Sequence, residues 1–125
     1  MKTARDLLSH RVVPVEPEQR LRDVAALIQS RNALYCAVVG RAGEFIGLVR
    51  LTEIVMKSAD RIFADLISAS APVHISDTLD AELVIKLLQA QGCDELAVLE
   101  GGRRYVGLVT RESVFEWWAG QRGPE

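Results

Sequence analysis

The sequence repeats itself at an interval of sixty residues. Sliding the chain by that distance sets Val24 on Val84, Leu27 on Leu87 and Gln29 on Gln89. Ala37-Val38 falls on Ala97-Val98, and Gly47-Leu48-Val49 on Gly107-Leu108-Val109. Upstream, Asp6-Leu7-Leu8-Ser9 rhymes with Asp65-Leu66-Ile67-Ser68. Such periodicity in 125 residues requires two copies of one supersecondary unit. A unit of about 55 residues buries too little surface to stand alone, so the copies are expected to share one core. The boundaries read from the repeat are 1–60, with an N-terminal segment, and 61–125, with a C-terminal helix.

Within each copy the pattern alternates between strand and helix. Leu21, Val24, Leu27 and Ile28 recur at helical spacing, as do Leu79, Leu83, Leu87 and Leu88. Asn32 and Gly92 follow these helices, and both residue types tolerate the left-handed conformation that closes a helix. Each helix is preceded by a short extended piece holding a proline, Val12–Val15 and Pro72–Ile75. Each is followed by two apolar segments parted by a turn, Gly40 to Gly43 in one copy and Gly101-Gly102 in the other. A second helix is expected from Thr52 to about Ser58 and from Glu112 to about Ala119. The fold class is therefore α+β, two β-α-β-β-α repeats related by a pseudo-twofold and packed sheet to sheet.

Composition narrows the function. Net charge is −2 with a pI near 5.7, so no basic field exists to hold a phosphate backbone, and nucleic acid is not an expected partner. No apolar run is long enough for a membrane span and the amino terminus lacks a signal-peptide core, so a cytoplasmic protein without a membrane partner is expected. Cys36 and Cys93 sit in apolar surroundings and read as buried or half-buried thiols. Two histidines, His10 and His74, cannot make a three-histidine metal site, and no nucleophile–base set, carboxylate pair or phosphate-cradling loop is present. Catalysis is not expected, and no metal is.

The element order, the doubled Gly-Leu-Val strand and the Thr-x-x-Ser that follows it resemble a tandem cystathionine-β-synthase (CBS) domain pair, a Bateman module, from about Ala4 to Trp118. The resemblance implies a stand-alone regulatory module, not a catalyst, with two clefts between its halves. In such pairs the clefts bind AMP, ADP, ATP, S-adenosylmethionine or NAD as regulatory ligands, and two modules pair into a homodimer that signals to a partner protein. The identity of that partner is not written in the sequence.

The resemblance also implies where a ligand sits. Nucleotide-binding repeats carry Gly-hydrophobic-x-Thr/Ser-x-x-Asp/Asn, the hydroxyl meeting phosphate and the acid taking the ribose diol. Here Thr110 keeps the hydroxyl but Ser113 replaces the acid; Glu53 keeps an acid but Arg50 replaces the hydroxyl. By resemblance, the backbone of Val73, His74 and Ile75 and of Leu96-Ala97 lines the base. The second junction is the better expected site, because Arg111 adds charge beside Thr110. The plainer readings are that Thr52 and Thr110 are helix caps, that Gly47 and Gly107 allow close packing, and that Arg50, Arg103-Arg104 and Arg111 are surface charges. His74 reads as a solvent-facing or packed residue. Two functions stay open: an adenosine-nucleotide sensor, and a dimerisation or interaction module with degenerate sites. Val114, Phe115 and Trp118 on the last helix, matched by Leu51, Ile54 and Val55, mark the expected dimer surface, with Trp117 widening it.

Overall fold

Proline confines its strand to a sheet edge, because it has no N–H for a ladder. The computed structural model, which describes residues 1–67 and 72–121, puts Pro14 there. Strand β1 (Val12–Val15) pairs parallel with β2 (Tyr35–Val39), which pairs antiparallel with β3 (Phe45–Arg50), in the order β1-β2-β3. Helix α1 (Leu21–Ser30) connects β1 to β2, and α2 (Leu51–Ile54) follows β3. The second repeat has the same plan: β4 (His74–Ser76), α3 (Ala81–Gln91), β5 (Glu95–Glu100), β6 (Arg104–Thr110) and α4 (Arg111–Gln121), with sheet order β4-β5-β6.

The repeat survives in detail. Val38 pairs with Gly47 and Val98 with Gly107, and the ladder slips by one residue immediately after each valine. The middle strands β2 and β5 are covered on both faces, which is why they read as unbroken apolar runs. Asn32 (φ 51°) and Gly92 (φ 60°) close α1 and α3 in the left-handed region. Gly101 and Gly102, at φ 62° and 72°, supply the two positive angles of a tight hairpin.

The compact units do not coincide with the sequence periods. One unit is His10–Ala71; the other joins Met1–Ser9 to Pro72–Glu125. The opening segment of each repeat is built into the unit that holds the rest of the other repeat. Backbone hydrogen bonds explain this. The first N–H groups of a helix lack intrahelical partners, and the Leu21 N–H finds the Arg61 carbonyl (3.1 Å) while the Ala81 N–H finds that of Lys2 (3.0 Å). Two residues later, the Phe63 N–H donates to Gln19 (3.0 Å) and the Ala4 N–H to Leu79 (2.9 Å). Arg5 adds a charged clasp, with Nε on Asp77 Oδ2 (2.9 Å) and Nη2 on Glu100 Oε2 (3.0 Å).

These opening segments explain the two junction glycines. A Cβ on Gly107 would lie 2.8 Å from Leu8 Cδ2, and one on Gly47 would collide with Ile67 Cγ2. Close packing is thus an observed reason for both glycines. Ser68, the counterpart of Ser9, lies outside the described residues.

Each unit gathers its own core. In His10–Ala71 it includes Val13, Val24, Cys36, Val38, Val49 and Phe63, the last fully buried. In the other unit it includes Leu7, Val84, Leu88, Leu96, Val98 and Val109. Three expectations need correction. Leu27 and Leu83 are 40% and 50% exposed, so the inward stripes run through Leu21-Val24 and Ala81-Val84-Leu88 instead. Helix α2 ends at Ile54 rather than near Ser58, because the chain beyond it turns back to place the Ala59 and Arg61 carbonyls on the start of α1. On α4 it is Val114 and Trp117 that pack on the core, leaving Phe115 and Trp118 outside.

Candidate functional site

Both strand-to-helix junctions form, and they are built differently. At the second, β6 delivers Thr110 to the start of α4. The Ser113 N–H donates to Thr110 Oγ1 (3.0 Å), and the Thr110 N–H donates to Ser113 Oγ (2.9 Å). The Ser113 hydroxyl in turn donates to the Thr110 carbonyl (3.0 Å). This is a capping box in which serine stands where glutamate or glutamine is usual. Each residue is 5% exposed, so these hydroxyls serve the start of α4.

Arg111, next along, is exposed; its Nε donates to Asp94 Oδ1 (3.2 Å). Of the base-lining candidates, Ile75, Leu96 and Ala97 are core residues, at 7%, 0% and 0% exposure. Val73 and His74 are exposed at the edge strand, where the Val73 carbonyl accepts the Ala97 N–H (2.9 Å). Seven of the eight candidates of this repeat are thus bonded or buried within their own unit, and His74 alone simply faces out.

At the first junction Arg50 ends β3 in an extended conformation (φ −86°, ψ 147°) and makes no side-chain cap. Its Nη1 lies 3.4 Å from Glu53 Oε1, and both side chains are about one-third exposed (34% and 33%). Thr52 is exposed inside α2 and is not the cap residue, a correction that follows from the helix starting at Leu51. Two pockets meet here. One, of about 190 Å³, is lined by Leu34, Tyr35, Arg50, Leu51 and Thr52. The other, of about 370 Å³, is lined by Thr52, Glu53, Lys57, Arg61 and the segment Asp65 to Ile67, among others. The sequence reading did not single out Lys57 and Arg61, which lie on either side of the boundary between the two copies. Only the return of the chain against α1 brings them beside Glu53.

A third feature belongs to the helices. Ala25, Ile28, Gln29, Leu51 and Ile54 line a groove of about 270 Å³ between α1 and α2. Ile85, Leu88, Gln89, Arg111 and Val114, each sixty residues later, line one of about 350 Å³ between α3 and α4. At the second groove Phe115 and Trp118 stand 64% and 45% exposed, with ring centroids 6.0 Å apart.

Burial pushes the Cys36 thiol up to about 12 and raises the Tyr105 hydroxyl above its ordinary value. A thiol held protonated is a poor nucleophile. Among the described residues no group of three or more His, Cys, Asp or Glu could hold a metal ion, and no helix is long and apolar enough to cross a membrane.

The family model named CBS domain matches twice, over residues 4–60 and 64–120. The chain belongs to the CBS domain family. CBS-domain structures share its fold at low identity. CBSX2 in complex with AMP is 19% identical with a TM-score of 0.74, over 98% of this chain and 100% of that one. The CBS domain of a bacterial CNNM/CorC family Mg2+ transporter in complex with ATP is 21% identical with a TM-score of 0.72, over 95% and 88%. A curated relative, L-aspartate semialdehyde sulfurtransferase of Methanosarcina acetivorans, is 20% identical over 112 residues; these are 88% of this CBS domain chain and 22% of that protein. The chain therefore spans about a fifth of that relative's length.

Proposed function

We propose that this CBS domain pair is a regulatory sensor of an adenosine nucleotide, AMP or ATP, and that the first junction holds it. The observation that carries the reading is the Arg50–Glu53 pair, one-third exposed and opening on two pockets. Arg50 supplies a guanidinium fork for phosphate. Glu53 supplies a carboxylate that accepts both hydrogen bonds of a ribose diol. Lys57 and Arg61 add positive charge at the larger pocket. The sequence favoured the second junction, but Thr110 and Ser113 serve their cap there, which moves the weight to the first. CBSX2 in complex with AMP and the CNNM/CorC CBS domain in complex with ATP have the same fold, which supports the ligand class.

A thermal-shift panel of AMP, ADP, ATP, S-adenosylmethionine and NAD tests the reading. A ligand at a hundred times its dissociation constant adds about 2.7 kcal/mol, a large shift for a protein of this size. Calorimetry then locates the site: Arg50→Ala and Glu53→Ala each weaken binding by about 1.5–3 kcal/mol. No binding by any of the five at millimolar concentration sinks the sensor.

The second reading, a homodimer that serves as an interaction module, is favoured by the exposed Phe115–Trp118 pair. Large exposed aromatics mark a surface meant to be covered. The two readings are compatible, since a dimer can carry nucleotide sites.

A further inference from the structure

We infer that residues 55–61 form a regulatory strap with two arrangements, and that a nucleotide at the first junction selects the one described above. The inference rests on the nucleotide reading and adds how occupancy of that site is passed on. The two repeats display both arrangements of one element. Residues 115–121 continue α4, whereas residues 55–61 leave α2 after one turn and fold back. Nothing in the first copy's own sequence stops the helix, since no glycine or proline occurs from Leu51 to Ala71. All seven strap residues are exposed, so little burial opposes a change of path.

What holds the strap is the start of α1. The Ala59 and Arg61 carbonyls accept the Arg22 N–H (3.0 Å) and the Leu21 N–H (3.1 Å), and Asp60 pairs with Arg22. The same path brings Lys57 and Arg61 to the pocket that Glu53 also lines. A continued helix would undo both. It would carry Arg61 about 12 Å along the axis from Glu53. It would also set Lys57 one turn beyond Glu53, at the spacing where the two charges pair. The first change takes a cation from the phosphate; the second occupies the carboxylate that the ribose requires. A nucleotide therefore binds the folded-back strap more tightly, and that difference is what lets it shift the equilibrium. Occupancy is read at the first turn of α1, whose N–H groups keep or lose their partners.

Amide hydrogen exchange and Cα chemical shifts of the full chain, read by NMR, test this once calorimetry has chosen AMP or ATP. Saturating nucleotide is expected to slow exchange at Leu21 and Arg22 by about tenfold or more. Ala81, whose N–H is capped by Lys2 in the other unit, is expected to stay unchanged. Asp60 is exposed and lines neither junction pocket, so Asp60→Lys loosens the strap without touching the ligand. That variant is expected to exchange about fivefold faster at Leu21 and Arg22. Its shifts over residues 55–61 move toward helical values, and nucleotide moves them back. A nucleotide that binds but leaves Leu21 and Arg22 unchanged, or slows Ala81 equally, overturns the strap and spares the nucleotide site. Strap shifts unmoved by Asp60→Lys overturn the second arrangement. Absence of binding by either nucleotide overturns both the site and its strap.

Discussion

The first and second junctions start from nearly the same words, Gly-Leu-Val followed by a helix, and do different work. At the second, Thr110 and Ser113 bond each other's backbone and lie buried. At the first, Arg50 makes no side-chain cap and instead pairs with Glu53, both side chains about one-third exposed. One junction commits its hydroxyls to its own helix start; the other sets an arginine beside a glutamate, each about one-third exposed. A duplicated element can thus hold its backbone while one copy turns its polar groups inward and the other outward.

The largest effect that separates the copies is expected in their opening segments. Phe63 fills the core of one unit where the equivalent opener of the other unit has Ala4. Phe63→Ala is expected to cost about 3–5 kcal/mol in chemical denaturation, the range for emptying a buried aromatic site. A loss under about 1 kcal/mol would break the claim that the opener is part of that core.

The glycines come next. Gly107→Ala forces a methyl into Leu8, and Gly47→Ala forces one into Ile67, so each is expected to destabilise by about 1–3 kcal/mol. Adding Leu8→Ala to Gly107→Ala should recover part of the glycine cost, a double-mutant cycle that checks the contact directly. Two additive changes would mean that the glycine serves something other than Leu8.

The junctions themselves give a smaller, crossed pattern. Thr110→Ala removes a buried cap and should cost about 1 kcal/mol of stability. Arg50→Ala breaks a partly exposed ion pair and should cost less than about 1 kcal/mol, while lowering nucleotide affinity in calorimetry. Equal stability losses and equal affinities would erase the contrast between the two sites.

The smallest effect concerns Cys36. Its folded pKa of about 12 lies above the unfolded value of 9.0, so the folded state holds a proton that the unfolded chain has lost between those limits. The contribution to stability is complete below pH 9 and declines as pH rises toward 12. Alkylation at pH 8 followed by mass spectrometry should leave Cys36 unmodified until denaturant is added. Rapid labelling of Cys36 in the folded protein would show that its burial is transient.

Much of this molecule is written locally. Hydrophobic period, glycine pairs and the positions of Asn32 and Gly92 announce both repeats, because turn angles and helix closure depend on a few adjacent residues. The same local signals placed Thr110 at a helix start and marked Gly47 and Gly107 as sites of close approach, though it is the Ile67 and Leu8 side chains that crowd them, not a neighbouring backbone. They missed the phase of the helices: a heptad-like run tells that a face is apolar, not whether Trp117 or Trp118 turns inward. They also overextended α2, whose length depends on the chain beyond it.

Which polar groups are buried and which are exposed was decided only in three dimensions. Nothing near Leu8 in the sequence points to Gly107, ninety-nine positions on, nor anything near Lys2 to the N–H of Ala81. Those contacts exist because helix ends and sheet faces demand partners wherever the chain can supply them. The sequence by itself determined two copies of one unit and the residues at each junction. Tertiary structure alone decided that the Thr110–Ser113 pair is buried and the Arg50–Glu53 pair one-third exposed, since burial is a property of what packs around a residue and not of the residue.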